Sequence, residues 1–266
     1  MTTAATPKPM LFGRLGIDRS GNPNAPIHIH PYPEVCHRGV VRPSVLALAV
    51  DMMAGFHAAE GAGSDWLFTT DLSVRAPSRF IPERAVTSGT LLRAGRTAVT
   101  SDVRMEVDGH LYAYGQAGFT RVPRRHGDPA EPDIHAVPSP SERPPLERPF
   151  VEEVGIEVTD PATGRAAVVL RDELRNPAGV MQGAIVALLA EVAAEALADF
   201  HLGAPQVVTD LDVRYLAMGR VGPMEAEASW IGEPAGGSIS VTLRDRGNER
   251  RVTTAVLART APAPEG

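Results

Sequence analysis

Cysteine is all but missing from this chain. Cys36 stands alone, so no intramolecular disulfide framework can form, and a reducing cytoplasm is the compartment that suits such a composition. No run of about 18 uncharged apolar residues occurs, which removes a helical membrane span. The opening residues, Met1-Thr-Thr-Ala-Ala-Thr-Pro-Lys-Pro, lack the basic and then apolar regions of a signal peptide. The expected localisation is therefore cytoplasmic. Lys8 is the single lysine, and the net charge is −6. With no basic stripe interleaved with aromatics, neither nucleic acid nor a membrane is an expected partner. Zinc-type Cys/His spacing, a phosphate-cradling glycine loop and a serine nucleophile elbow are missing too. No metal and no separate cofactor is expected.

What is present is a globular composition, 43% hydrophobic and 22% charged over 266 residues. That is enough for one large domain or two of ordinary size. The stretch Gly179-Val-Met-Gln-Gly-Ala-Ile-Val-Ala-Leu-Leu-Ala-Glu191 reads as a glycine-marked turn and a nearly all-apolar helix interrupted by one carboxylate. It recurs upstream as Gly39-Val-Val-Arg-Pro-Ser-Val-Leu-Ala-Leu-Ala-Val-Asp51. Asp51 corresponds to Glu191. A second match, Thr70-Asp-Leu-Ser-Val-Arg75 against Thr209-Asp-Leu-Asp-Val-Arg214, falls at nearly the same offset. A self-match at so long a period means two copies of a domain, not a short-unit solenoid.

Each copy reads as two strands, a long helix and a four-strand meander. In the first, strands are expected at Met10–Asp18 and Ile27–His30, a helix over Arg42–Glu60, and strands at Trp66–Ala76, Ala85–Arg93, Thr97–Val107 and Leu111–Val122. Asp108-Gly109 forms a hairpin turn between the last two. In the second, strands are expected at Phe150–Thr159 and Ala166–Leu170, a helix over Met181–Phe200, and strands at Gln206–Leu216, Met224–Ile231, Ser238–Leu243 and Arg251–Arg259. The proline-rich segment between them reads as an extended linker. The predicted organisation is a repeat over 1–122, a linker over 123–149 and a repeat over 150–266. The fold class is α+β.

With Asn176, Gly179, Gln182, Gly183 and Ala184 approaching the helix, and an acid nine positions beyond Gln182, the pattern resembles the hotdog-fold acyl-CoA thioesterases. It looks closest to their phenylacetic-acid-degradation and 4-hydroxybenzoyl-CoA types. The first copy departs from the motif, with Cys36 at the asparagine position and Arg42-Pro43-Ser44 at the His-Gly-Gly position. The resemblance implies a double hotdog, each repeat a long central helix wrapped by an antiparallel sheet. It also implies acyl-CoA as substrate, with CoA entering only as part of it. A homodimer or higher oligomer of such chains is a possible assembly, since exposed sheet edges can recruit another chain.

Thioester hydrolysis needs a donor for the developing oxyanion and a carboxylate that attacks the carbonyl or activates water. The start of the second helix, at Gly183, offers a free N–H and lets a ligand approach the backbone. Its own acid is badly placed: Glu191 lies nine residues beyond Gln182, a turn of about 900° and an advance of about 13 Å, which puts it on the face opposite that residue. Each acid is therefore expected to serve the other copy's donor. Pro43 has no N–H to donate, so one working site is predicted: Gly183, Asn176 and Gln182 with Asp51. Glu191 and Thr70 are secondary candidates, Thr70 for orienting water.

Each has a plainer reading, Asp51 as a helix carboxylate at the surface. Glu191, Glu195 and Asp199 make an i, i+4, i+8 stripe typical of a solvated face. Asn176 before Pro177 suits a turn, Gln182 an exposed first turn, Gly183 close helix packing, and Thr70 an ordinary strand. His28, His30 and Cys36 read as structural. Arg75, Arg79, Arg214 and Arg220 are candidates for holding the nucleotide of CoA. Two other functions stay open on the sequence: a hotdog hydratase or dehydratase of acyl thioesters, and a non-catalytic acyl-CoA-binding module.

Overall fold

The computed structural model describes residues 11–19, 25–62, 65–124, 144–176, 178–249 and 251–265. Residues 1–10, 20–24 and most of the 123–149 segment expected as a linker lie outside them.

The first half comprises β1 (Ile17–Arg19), β2 (Ile27–Ile29), a small hairpin of β3 (Cys36–His37) and β4 (Val40–Val41), α1 (Pro43–Ala62), and the meander β5 (Trp66–Arg75), β6 (Ala85–Ala94), β7 (Ala98–Val107) and β8 (His110–Val122). The second comprises α2 (Phe150–Val154), β9 (Glu157–Asp160), β10 (Arg165–Val168), α3 (Gly183–Leu202), β11 (Gln206–Tyr215), β12 (Met224–Trp230), β13 (Ser238–Asp245) and β14 (Arg251–Pro262). Twelve strands form one sheet in the order β1-β2-β6-β7-β8-β5-β11-β14-β13-β12-β10-β9. The halves meet where β5 pairs antiparallel with β11, from Asp71↔Arg214 to Arg75↔Asp210.

Two expected strands are replaced. Phe150–Thr159 divides into the short helix α2 and β9. Pro149 stands at the N-cap, Glu152 and Glu153 complement the positive helix end, and Gly155 closes it at φ 77°. Of the expected strand Met10–Asp18, Leu11–Arg14 form a 3-10 turn and only Ile17 and Asp18 fall in β1, while Met10 lies outside the described residues. Arg14 of that turn donates to the carbonyls of Pro144 and Pro145, and Leu146 is buried, so the end of the 123–149 segment is fastened to the first half.

Both long helices form because their sequences are Ala/Leu/Val-rich, with starts suited to a helix: Pro43 at the first position of α1 and Gln182 as the N-cap of α3. They pack against each other and against opposite ends of the sheet. Burial nearly all round matches their apolar character: Ala187, Leu188, Leu189, Ala190, Ala193 and Ala194 are fully enclosed in α3. Strands show the opposite period, as in the strict in-out alternation of β13. Close contact of α1 with the sheet requires glycine on β8, because a Cβ at Gly115 would sit 2.4 Å from Val50 Cγ2. That contact fixes the height of Asp51, the next residue on α1. Among the described residues, no helix is long and apolar enough to cross a membrane.

Candidate active site

Gly39 and Gly179 both adopt positive φ, 80° and 73°. Each turns the chain three or four residues before its long helix, a conformation glycine takes without strain. Ahead of α3 the turn is held by Asn176, whose Oδ1 accepts from the N–H groups of Ala178 and Val180 at 3.0 and 3.2 Å. Asn176 therefore serves the turn through its oxygen. The buried Gln182 caps the helix: its Oε1 accepts from Ala184 N at 2.6 Å. An N–H donor can face only the amide oxygen, so Nε2 points the other way, and it has no partner among the described residues. The N–H of Gly183, one of the orphan donors of a helix start, likewise has none there. Gln182 is thus a buried cap, not the exposed residue of the plainer sequence reading.

A cavity of about 590 Å³ opens at this helix start. It brings together five residues singled out in the sequence: Asn176, Gln182 and Gly183 from the second half, with Asp51 and Thr70 from the first. Thr69 and Tyr215 line it as well, and its apolar wall includes Phe68, Val186, Leu216, Met218 and Met224. Among the described residues no lysine or arginine lines it.

Asp51 is held by Thr69, whose Oγ1 donates to Oδ1 at 2.7 Å. Burial pushes the Asp51 carboxyl above the ordinary range, and the Thr69 hydrogen bond opposes that only in part. Thr69, not Thr70, is the threonine that meets the acid. The reason is a β-bulge: Thr69 pairs with Phe119 and Asp71 with Gly118, leaving Thr70 as an extra residue. Thr70 Oγ1 lies 2.9 Å from Asp71 Oδ2 and 3.1 Å from the Gly118 carbonyl, and shares its proton between them. The second half bulges at the corresponding Thr209, whose hydroxyl is likewise bonded to Asp210. The signal for Thr69 was the difference between the copies: its counterpart is Val208. Tyr215, also unread in the sequence, ends β11, with its hydroxyl 3.5 Å from the Gly183 carbonyl oxygen. Burial, and then the charge of Asp51, raise its pKa, so the phenol keeps its proton.

The other crossing is closed. Glu191 is fully buried, which corrects the solvated-stripe reading. Its Oε1 receives Arg42 Nη1 at 2.6 Å and its Oε2 receives the Ser44 N–H at 3.0 Å. The acid thus binds the opposite helix start directly, and the Arg42 side chain, itself buried, lies against it. Arg42 also reaches Glu195 at 3.4 Å, and Glu195 accepts from Val208 N. Asp199, the third member of the stripe, pairs with Arg38. Glu191 does not line the 590 Å³ cavity.

Two carboxylates facing one guanidinium leave a surplus negative charge. Burial, assisted by Glu191 and opposed by Arg42, pushes Glu195 up to about 8. Burial, then Arg42 and Arg38, push the adjacent His37 down to about 3, so its 3.6 Å contact with Glu195 is between neutral groups at pH 7. The folded state therefore holds a proton on Glu195 that the unfolded chain releases near pH ~4.3. That contribution to stability is full below that pH and is lost as pH rises through about 8. Glu195→Gln is expected to flatten the fall in melting temperature between pH 5 and 9, measured by circular dichroism. An unchanged slope would refute the protonated carboxyl.

Of the arginines considered for the nucleotide of CoA, Arg75 is engaged with Asp210 and Asp212 across the β5–β11 seam. Arg220 touches the cavity wall, with Nη2 2.9 Å from Sδ of the lining residue Met218.

Among solved structures the chain has hotdog-fold neighbours. A protein of unknown function with that fold from Alicyclobacillus acidocaldarius is 12% identical at a TM-score of 0.55, covering 96% of this chain and 98% of that one. The TesB protein of Mycobacterium avium subs paratuberculosis is 15% identical with a TM-score of 0.66, covering 96% and 98%. The acyl-CoA thioesterase II TesB2 of Mycobacterium marinum is 16% identical with a TM-score of 0.55, covering 96% and 99%. No protein-family model and no curated protein sequence matches the chain. The fold is accordingly of the hotdog type, a sheet-rich α+β architecture.

Proposed function

We propose that this chain hydrolyses an acyl-CoA thioester to the free acid and CoA. We read it as a double hotdog, with repeats over 1–122 and 150–266 joined by the 123–149 segment. The observation that carries the proposal is the sharing of one cavity by a desolvated carboxylate, Asp51, and an unpartnered helix-start amide, Gly183, from opposite halves. The acyl-CoA thioesterase II of Mycobacterium marinum, one of the structural neighbours, supports the same chemistry.

In this reading the thioester carbonyl oxygen lies against the Gly183 N–H, where the positive helix end opposes the charge that develops on it. Thr69 occupies one oxygen of Asp51 and leaves the other to take a proton from water. The water oxygen bonds to the carbonyl carbon, the C–S bond breaks, and the proton passes from Asp51 to the departing thiolate. Gln182 Nε2 is a further donor for the bound acyl group or the water. The apolar wall, with Phe68, Val186, Leu216, Met218 and Met224, receives the acyl chain.

Release of free thiol from short, medium and aromatic acyl-CoAs, followed with a thiol reagent, tests this. The expected result is turnover of at least one of them. Tight acyl-CoA binding without thiol release from any would replace hydrolysis with binding alone.

A further inference from the structure

We propose that the Tyr215 hydroxyl is a second oxyanion donor, closing with the Gly183 N–H around the thioester carbonyl oxygen. The proposal rests on the hydrolytic reading above.

The two groups border the same small volume. A Cβ placed on Gly183 would lie 3.1 Å from Tyr215 Oη, so the phenol stands directly beside this residue on the wall of the same cavity. An acceptor seated there can take hydrogen bonds from both.

The hydroxyl is also weakly partnered. Among the described residues its one hydrogen bond, donated to the Gly183 carbonyl oxygen at 3.5 Å, is at the outer limit of hydrogen bonding. A tyrosine in an enclosed site ordinarily finds a good partner for its O–H. Here the cavity, and what binds in it, lies beside it.

The comparison between halves gives a third, independent argument. Aligning Thr70–Arg75 with Thr209–Arg214 places Ala76 opposite Tyr215. In that half Pro43 stands where Gly183 does. The copy whose helix start has lost its amide donor therefore lacks the phenol as well, and its acid is bound to Arg42 and Ser44. Both donors are present in one crossing and absent from the other. A tyrosine serving only to pack the β11 end has no reason to follow this pattern.

The chemistry suits a neutral donor. The oxygen gains negative charge as the tetrahedral intermediate forms, and a phenol that keeps its proton strengthens its hydrogen bond at that moment without transferring it.

The test is Tyr215→Phe, which retains the ring and removes only the oxygen. Steady-state thiol release is to be measured across pH with the best acyl-CoA substrate, alongside thermal melting of both proteins. The expected outcome is a fall in kcat of about 10²-fold, with KM changed less than threefold, an unmoved pH profile and an unchanged melting temperature. An active wild type with an equally active variant would overturn the second donor and leave the hydrolase reading intact. A loss confined to KM would make Tyr215 a binding contact and overturn it too. A wild type that releases no thiol would remove both readings.

Discussion

Asp51→Asn is expected to lower thiol release by about 10²–10⁴-fold, the range for removing a general base, while raising thermal stability near neutral pH. Asparagine keeps an oxygen for the Thr69 hydroxyl and conserves volume, so the hydrogen bond at 2.7 Å survives. What is removed is a carboxyl whose ionisation burial resists. Because its folded pKa lies above the unfolded value, Asp51 adds stability at low pH that is lost as pH rises through the folded pKa. The amide has no such loss. Activity of the wild type should rise with pH through that same raised value, since the base must be ionised to accept a proton. Steady-state rates and melting curves on the two proteins decide the matter. Wild-type turnover in the amide variant would remove the carboxylate from the mechanism.

Glu191→Ala should do the opposite. Removing Glu191 leaves the buried Arg42 guanidinium with Glu195 alone, 3.4 Å away, which must give up its proton to compensate it; breaking a buried pair outright typically costs about 3–5 kcal/mol, the upper bound here. The Ser44 N–H loses its acceptor as well. Denaturant unfolding should register that loss, yet the fraction still folded should hydrolyse substrate at close to the wild-type rate, because Glu191 lies outside the cavity. The triple change Arg42→Met, Glu191→Leu, Glu195→Leu is expected to be much less destabilising than the single one, since no stranded charge remains. If the single alanine variant is as stable as wild type, the network contributes little. If it is stable but inactive, Glu191 belongs to the chemistry after all.

Much of this architecture was readable from spacing. The paired long helices, the meanders and the antiparallel strands follow from apolar period and turn residues, and the cross-copy correspondence of residue 51 with residue 191 was visible as a match of strings. What escaped has identifiable physical causes. A helix within Phe150–Thr159 depends on capping by Pro149 and Gly155, which overrides a strand-like composition. Thr69 escaped because a one-residue bulge breaks the alternation on which strand-face assignments rest. Tyr215 lies past the end of the matched strings, opposite an alanine. The acidic stripe on α3 was misread because exposure was inferred from the helix alone. Its partners, Arg38 and Arg42, come from about 150 residues away, and no local pattern announces a buried arginine.

The ion cluster around Arg42 has a wider consequence. On the double-hotdog reading the chain holds two equivalent crossings, one closed as a rivet between the helices and the other hollow. Cohesion and the proposed chemistry then reside at separate addresses, so the walls of the hollow one can be recut for a different guest without loosening the joint that holds the halves together.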